Sequence, residues 1–190
     1  MASADLQLLP VVSGPRGNKF APILRGSSPA TCTLPATTTP FNAGVFGDTP
    51  GATRLNLDLH CGQEAYQTFL KEIDEFCIKT MASDPQQFFK KKLSEEEIRA
   101  IFKPSITERR KDNIDYEPTV RTKINIAGPS AVRCWTPEKT LRALPEDWRR
   151  TSITPILAAK SVYFMAGGCC GVTYEVSDCI LVEKGEECPF

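Results

Sequence analysis

The sequence predicts a mainly β protein of the α+β class, with an antiparallel barrel or sandwich of strands and an inserted helical segment. Two segments, residues 53–60 and 117–128, alternate between apolar and polar residues, as half-buried strands do. Between them, apolar residues recur at every third or fourth position, which is typical of helices. Because strands precede and follow the helices without repeated strand-helix alternation, an antiparallel sheet is favoured over a doubly wound parallel sheet.

The composition indicates one globular domain, or one domain with arms. The chain has 190 residues, of which 41% are apolar and 24% are charged, and this length is enough for a single ordinary core. No apolar run approaches the ~20 residues of a membrane-spanning helix. Residues 1–14 carry no basic stretch ahead of their short apolar run, so they are a poor secretion signal. We therefore expect an intracellular protein with no membrane partner.

Composition along the chain predicts three regions. Residues 1–52 form an extended arm that is rich in Pro, Thr and Gly and carries short strands. Residues 53–184 form the barrel, with a helical insert at about 63–103, and residues 185–190 form a short acidic C-terminal tail.

The helical insert shows recognisable starting signals. A stripe of apolar residues at helical spacing covers residues 63–81. Asp84 stands before a proline, as the N-cap of a short helix does, and Ser94 with Glu97 has the spacing of a capping box. The polar residues 108–115 after the insert are expected to form a loop.

The second half of the barrel begins with the strand at 117–128, whose outward face is basic because Arg121 and Lys123 lie on it. The residues predicted to point inward from this strand are Val120, Thr122, Ile124 and Ile126. Residues 132–135 suit a short partner strand, and residues 153–183 predict a C-terminal hairpin with its turn in the glycine-cysteine segment.

Charge is distributed unevenly although the net charge is zero. Residues 1–84 carry a net charge of −2, residues 85–160 carry +6 and residues 161–190 carry −4. The basic middle of the chain therefore allows a cationic face on a neutral protein. A solvated charged surface is the alternative interpretation.

Catalytic and metal-binding patterns are missing from the sequence. The glycine-rich residues 167–171 lack the lysine of a phosphate-binding loop and lead into a strand. His60, the single histidine, adjoins Cys61 on a strand, where neighbours face opposite sides. The eight cysteines have no zinc-knuckle spacing and are expected to be reduced thiols. We expect no enzymatic activity, no metal and no cofactor.

Six short motifs follow one another in a familiar order: TPFNAGVF, LNLDL, FLKEIDEF, FFKKKLSEEEIRAIFKPSI, YEPTVRTKI and SVYFMAGGCCGVTYEV. Over residues 38–183 this order resembles the OB-fold, single-stranded-DNA-binding-like proteins of large algal DNA viruses and dinoflagellates. The resemblance implies an antiparallel OB-like β-barrel. It also implies a sequence-tolerant binder of single-stranded DNA, with RNA as an alternative, that supports replication, repair or recombination in a nucleus or at a viral replication site.

An OB barrel lays a single strand across one sheet face, where aromatic rings stack on bases and cations contact phosphates. The nucleic-acid-binding residues expected on this basis are Arg109, Arg110, Lys111, Arg121, Lys123, Arg133, Trp135, Trp148, Arg149, Arg150, Lys160 and Tyr163. For the aromatic residues among them, a place in the core or at its edge is the competing interpretation.

The last residues resemble the acidic tips through which bacterial single-stranded-DNA-binding proteins dock partner proteins. The tail residues expected to bind replication or repair proteins are Glu186, Glu187, Pro189 and Phe190. A second hypothesis is a structural or assembly protein that forms a homo-oligomer and whose arm contacts neighbouring subunits. The arm residues expected to make these contacts are Ile23, Leu24, Phe41 and Phe46.

Overall fold

The computed structural model describes residues 5–14, 17–45 and 51–182. Thirteen strands and three helices lie in this part of the chain. The strands are β1 (Leu6–Leu8), β2 (Val12–Ser13), β3 (Lys19–Arg25), β4 (Ser28–Thr33), β5 (Thr37–Thr38), β6 (Arg54–His60), β7 (Phe102–Lys103), β8 (Ile106–Lys111), β9 (Ile114–Asn125), β10 (Arg133–Trp135), β11 (Leu141–Arg142), β12 (Ser152–Phe164) and β13 (Cys170–Val182).

The three helices form where the sequence predicts them. α1 (Glu64–Ser83) buries its apolar stripe, and α2 (Pro85–Phe89) begins where Asp84 Oδ1 accepts the Gln87 N–H at 3.1 Å. α3 (Glu95–Ile101) has the complete capping box, because the Ser94 and Glu97 side chains each accept a hydrogen bond from the other residue's backbone N–H. None of the helices in the described ranges is long and apolar enough to cross a membrane.

The hairpin of β12 and β13 is the centre of the sheet and confirms the predicted C-terminal hairpin. Each strand has thirteen residues. β12 pairs with β3, β4 and β5 on its other edge. Two register shifts, at Ile156/Leu157 and at Ala159/Ser161, are typical of bulges, which bend and twist a long hairpin.

The prediction of a mainly β fold is confirmed. The sheet differs from the predicted antiparallel OB-like barrel because it is open and mixed, and it does not close on itself. β13 runs antiparallel to β12 but parallel to β7, β9 and β10. Alternation within one strand fixes which side chains face the core. It carries no information about the direction of a partner strand that is distant in sequence.

β6 and β9 pair antiparallel over seven residues. Leu57 and Val120 are buried on the inner face, whereas Asp58 and Arg121 lie opposite each other on the outer face. Ile126 does not point inward as predicted. It is 37% exposed because β9 ends at Asn125, one residue earlier.

Residues 108–115, predicted as a polar loop, form the end of a β-hairpin made by β8 and β9. Asp112 and Asn113 both have positive φ values, 52° and 62°, which the tight two-residue hairpin turn requires. The hairpin therefore carries its basic residues on strands, where their directions are fixed.

The described part of residues 5–45 contributes strands to the same sheet. β3 pairs with β12 and buries Ala21 and Ile23 in the common core. Ile23 is therefore unavailable to a neighbouring subunit, contrary to the assembly hypothesis. Phe41 is exposed, and Phe46 lies outside the described residues. The division of the chain into arm, barrel and tail stays a prediction.

Candidate nucleic-acid interface

A groove of about 680 Å³ crosses the outer face of the sheet beside β9 and β13. A second depression of about 560 Å³ adjoins it and shares Tyr163, Met165 and Thr173 with it. Together they form one continuous channel, which we call the basic groove. Its cationic lining residues are Lys19, Arg54, Lys103, Arg109, Arg121, Lys123 and Lys160, and its acidic ones are Asp58 and Glu175.

Asp58 holds two arginines in place at one end of the basic groove. Arg121 donates from Nε to Asp58 Oδ1 at 2.9 Å and from Nη2 to Oδ2 at 3.1 Å, and Arg109 approaches Oδ2 at 3.5 Å. The Asp58 side chain is largely buried, whereas the two guanidinium groups are exposed. One carboxylate therefore fixes two cations that still face the solvent.

Glu175 has the same role farther along the groove. Its carboxylate lies 3.3 Å from Arg54 Nη2 and 3.7 Å from Lys160 Nζ. The Glu175 side chain is also mostly buried. Since seven cations face only two carboxylates, the groove has an excess of positive charge that suits a chain of phosphates.

Lys123 lies between these two ends and donates to Asn56 Oδ1. The pKa of Lys123 is lowered from its ordinary value, first because burial disfavours the ammonium ion and then because Arg54 and Arg121 repel it. An anion bound beside Lys123 would relieve this repulsion.

Tyr163 forms part of the groove floor and owes its position to a glycine on the neighbouring strand. It lies directly opposite Gly171 in the β12–β13 pairing. A Cβ atom on Gly171 would meet the Tyr163 hydroxyl at 2.8 Å. The missing side chain lets the ring lie across β13, with part of its surface exposed to the groove.

The β8–β9 hairpin extends one wall of the groove. Arg109 lies opposite Tyr116, and Lys111 lies opposite Ile114, so these four side chains share one face of the hairpin. Arg109 lines the groove itself. Arg110 faces the other side, where it approaches Asp115 at 3.4 Å. The predicted trio Arg109, Arg110 and Lys111 is thus divided between two faces.

Three exposed residues near the groove were not among the residues expected to bind nucleic acid. Tyr116 is 52% exposed on the hairpin, and the Arg109 guanidinium lies over the Phe41 ring at 5.3 Å from its centroid. Met165 lines both parts of the groove. The Asp112-Asn113 turn signal could have identified the hairpin, and with it Tyr116. No local signal identifies Phe41, which reaches Arg109 only in the folded chain.

A partly buried hydrogen-bond network connects α1 to the groove floor. The carboxylate of Asp74 accepts hydrogen bonds from the Ser105 N–H at 2.8 Å and from the Ser105 hydroxyl. Ser105 Oγ also lies 2.9 Å from the Tyr174 hydroxyl, and both residues line the groove. Burial raises the pKa of Asp74 to about 6, and the hydrogen bonds from Ser105 only partly oppose this effect.

This pKa predicts that Asp74→Asn changes how stability depends on pH. A raised carboxyl pKa favours the folded state at low pH, and this contribution is lost as pH rises through about 6. We therefore expect the free energy of unfolding of the variant, relative to wild type, to rise by about 2 kcal/mol between pH 4.5 and 7.5. Urea denaturation at several pH values measures this difference.

Glu75→Gln is the matched control on the same helix. The pKa of Glu75 is lowered, chiefly by the hydrogen bond from Arg99. The stabilising contribution of Glu75 is present at neutral pH and is lost as pH falls. The free energy of unfolding of Glu75→Gln, relative to wild type, should therefore fall as pH rises, whereas that of Asp74→Asn rises. A pH-independent difference for Asp74→Asn would contradict the assigned role of Asp74.

The remaining predicted residues do not line the basic groove. Trp148 is only 3% exposed and belongs to the core, so its ring is not available for stacking. Arg149 and Arg150 are exposed next to it, at the start of β12. Arg133 and Trp135 line a separate groove. The tail residues Glu186, Glu187, Pro189 and Phe190 lie outside the described residues.

Within the described ranges, no three His, Cys, Asp or Glu residues are arranged to hold a metal ion. The groove instead combines fixed cations with exposed aromatic surface, which is the chemistry of non-covalent recognition of a polyanion with flat bases.

No protein-family description matches the sequence, and no curated protein matches it. Solved structures with a similar fold include two phage proteins. One is gp2.5, a single-stranded DNA binding protein encoded by bacteriophage T7, with 13% sequence identity, a TM-score of 0.50 and coverage of 84% of this chain and 90% of that one. The other is the single-stranded DNA-binding protein from bacteriophage Enc34 in complex with ssDNA, with 9% identity, a TM-score of 0.51 and coverage of 96% and 98%. At these identities the chain shares the fold of the two phage proteins.

Proposed function

We propose that this protein binds single-stranded DNA without strong sequence preference in the basic groove. The observation that carries the proposal is the row of seven cations along one sheet face, four of them held by the buried carboxylates Asp58 and Glu175. Tyr163 on the groove floor, and Phe41 and Tyr116 beside Arg109, supply rings on which bases can stack. The fold likeness to the two phage proteins supports the same ligand.

The groove suits a single strand better than a duplex. Its cations lie on a concave surface beside aromatic side chains, and only a single strand can turn its bases toward such rings. We extend the proposal to a role in replication, repair or recombination. Membership of the algal-virus and dinoflagellate family, which the order of motifs indicates, is part of the same proposal.

The test is a fluorescence-anisotropy titration with labelled oligothymidine of ~30 bases and with its duplex, at several salt concentrations. Five net positive charges in the groove predict a slope of log affinity against log salt of about −3.5 for the single strand. Equal affinity for the duplex, or affinity independent of salt, would contradict the proposal. Oligouridine of the same length distinguishes RNA from DNA, because it adds the 2′-hydroxyl.

A further inference from the structure

A second groove of about 450 Å³ lies on the sheet beside β10, and we call it the Trp135 groove. Its lining is mostly apolar, with Trp135, Ile156 and Ile180 contributing large side chains. Arg133 and Lys139 stand at the same site as cations. No residue of this groove lines the basic groove.

Trp135 is held in one orientation. Its Nε1 donates to Asp178 Oδ1 at 3.0 Å, and the Arg133 guanidinium lies over its ring at 5.7 Å from the centroid. Arg133 also binds Asp178, with Nε at 2.7 Å from Oδ1. Because the ring is already fixed, a ligand that stacks on it loses little additional side-chain entropy.

The charge of Asp178 is compensated by these contacts. Burial acts to raise the pKa of Asp178, but the hydrogen bonds from Arg133 and Trp135 outweigh burial and hold the pKa below its ordinary value. The carboxylate therefore stays ionised and paired. Lys139 lies in a turn, with a φ of 64°, and also lines the groove. Arg133 and Lys139 together outnumber Asp178, so the groove has an excess of positive charge.

The Trp135 groove continues the face that carries the basic groove. Glu175 lines the basic groove, and Asp178 lines the Trp135 groove on the same strand. The register shift at Ile156/Leu157 inserts one extra residue into β13 between them, so both side chains point outward. Three residues of strand separate them by about 10 Å.

We propose that the Trp135 groove is a base-binding subsite for the same single strand that fills the basic groove. A nucleobase lies against the Trp135 ring in the apolar groove, and the adjoining phosphates lie beside Arg133 and Lys139. This inference rests on the proposed function, and it extends the bound segment of the strand beyond the basic groove.

Oligothymidines of two lengths, about 6 and about 15 bases, test the subsite, since one OB-type domain covers about 4–16 nucleotides. The shorter oligomer fills the more cationic basic groove, and the longer one reaches Trp135. Trp135→Ala should weaken the affinity for the longer oligomer about tenfold, which lies within the range for one base-aromatic stack. The affinity for the shorter oligomer should stay within about twofold of the wild-type value. Trp135→Phe should retain most of the affinity.

Two further readouts keep the result interpretable. The longer oligomer should quench the fluorescence of Trp135, whereas the fluorescence of Trp148, which is buried, should stay constant. Lys139→Ala, at an exposed turn, should weaken only the longer oligomer, by a few fold, without affecting folding. Circular dichroism melting of each variant confirms that the fold is intact.

The possible failures are distinct. If neither oligomer binds, the proposed function itself is wrong. If both oligomers bind but Trp135→Ala and Lys139→Ala change neither affinity, the proposed role of the Trp135 groove as a subsite is wrong. The proposal that the basic groove binds the single strand then remains valid. If Trp135→Ala instead changes the sedimentation coefficient of the free protein, the groove is occupied by a second copy of the chain and the subsite is likewise rejected.

Discussion

Replacing Arg121 and Lys123 together with alanine is expected to weaken binding of oligothymidine about a hundredfold at moderate salt, because two phosphate contacts are lost from the basic groove. The loss of Arg121 has a second effect. Asp58 would keep only the more distant Arg109 and would present a poorly compensated carboxylate to the phosphates. Anisotropy titrations over a range of salt concentrations measure both the affinity and its salt dependence.

The magnitude of the slope should fall by about 1.4, since each single-strand phosphate contact contributes about 0.7. Arg110→Ala is the matched control, because Arg110 is an exposed arginine of the same hairpin that faces away from the groove. It should change the affinity by less than twofold. Equal effects of the control and the double variant would show that general charge, and not the groove, determines binding.

Trp148→Ala is expected to lower the free energy of unfolding by about 3–5 kcal/mol, as truncation of a buried tryptophan does. The ring belongs to the main core, and the backbone of Trp148 is held on both sides: its N–H donates to Asn42 Oδ1 at 2.8 Å and its carbonyl accepts from the Thr39 hydroxyl. Urea denaturation followed by circular dichroism measures the loss without depending on tryptophan fluorescence.

Trp135→Ala is the matched comparison for Trp148. The Trp135 ring is only half-buried on the face of the sheet, so its truncation should cost much less stability. Trp148→Ala should therefore mainly lower the free energy of unfolding, whereas Trp135→Ala should mainly lower the affinity for the oligomer. If the Trp148→Ala variant is as stable as wild type but loses affinity for oligothymidine, Trp148 contacts the strand and does not serve the core.

Local patterns predicted the elements whose causes are local. The stripe of α1, the capping box of Ser94 and Glu97, and the alternation of β6 and β9 each depend on residues a few positions apart. The outward direction of Arg121 and Lys123 followed from the same alternation. These two residues are consequently the best-founded part of the predicted site.

The features that the sequence did not predict depend on distant contacts. The parallel pairing of β13 with three strands brings Glu175 beside Arg54 and opposite Lys123, and nothing in the alternation of either strand specifies it. The backbone of Trp148 is held by hydrogen bonds with Asn42 and Thr39, which are more than a hundred residues away. The β8–β9 hairpin was predicted to be a loop because its residues are polar. Both faces of the hairpin are exposed to solvent, so its strands show no apolar-polar alternation.

Asp58 and Glu175 act as counterions that the protein itself supplies. The arginines and the lysine that they neutralise attract fewer ions from solution, so fewer ions are released when a strand binds. The salt dependence of the affinity should therefore correspond to fewer phosphates than the strand actually contacts. The two carboxylates also compete with phosphate for the same cations, which favours rapid exchange of the strand over a long-lived complex.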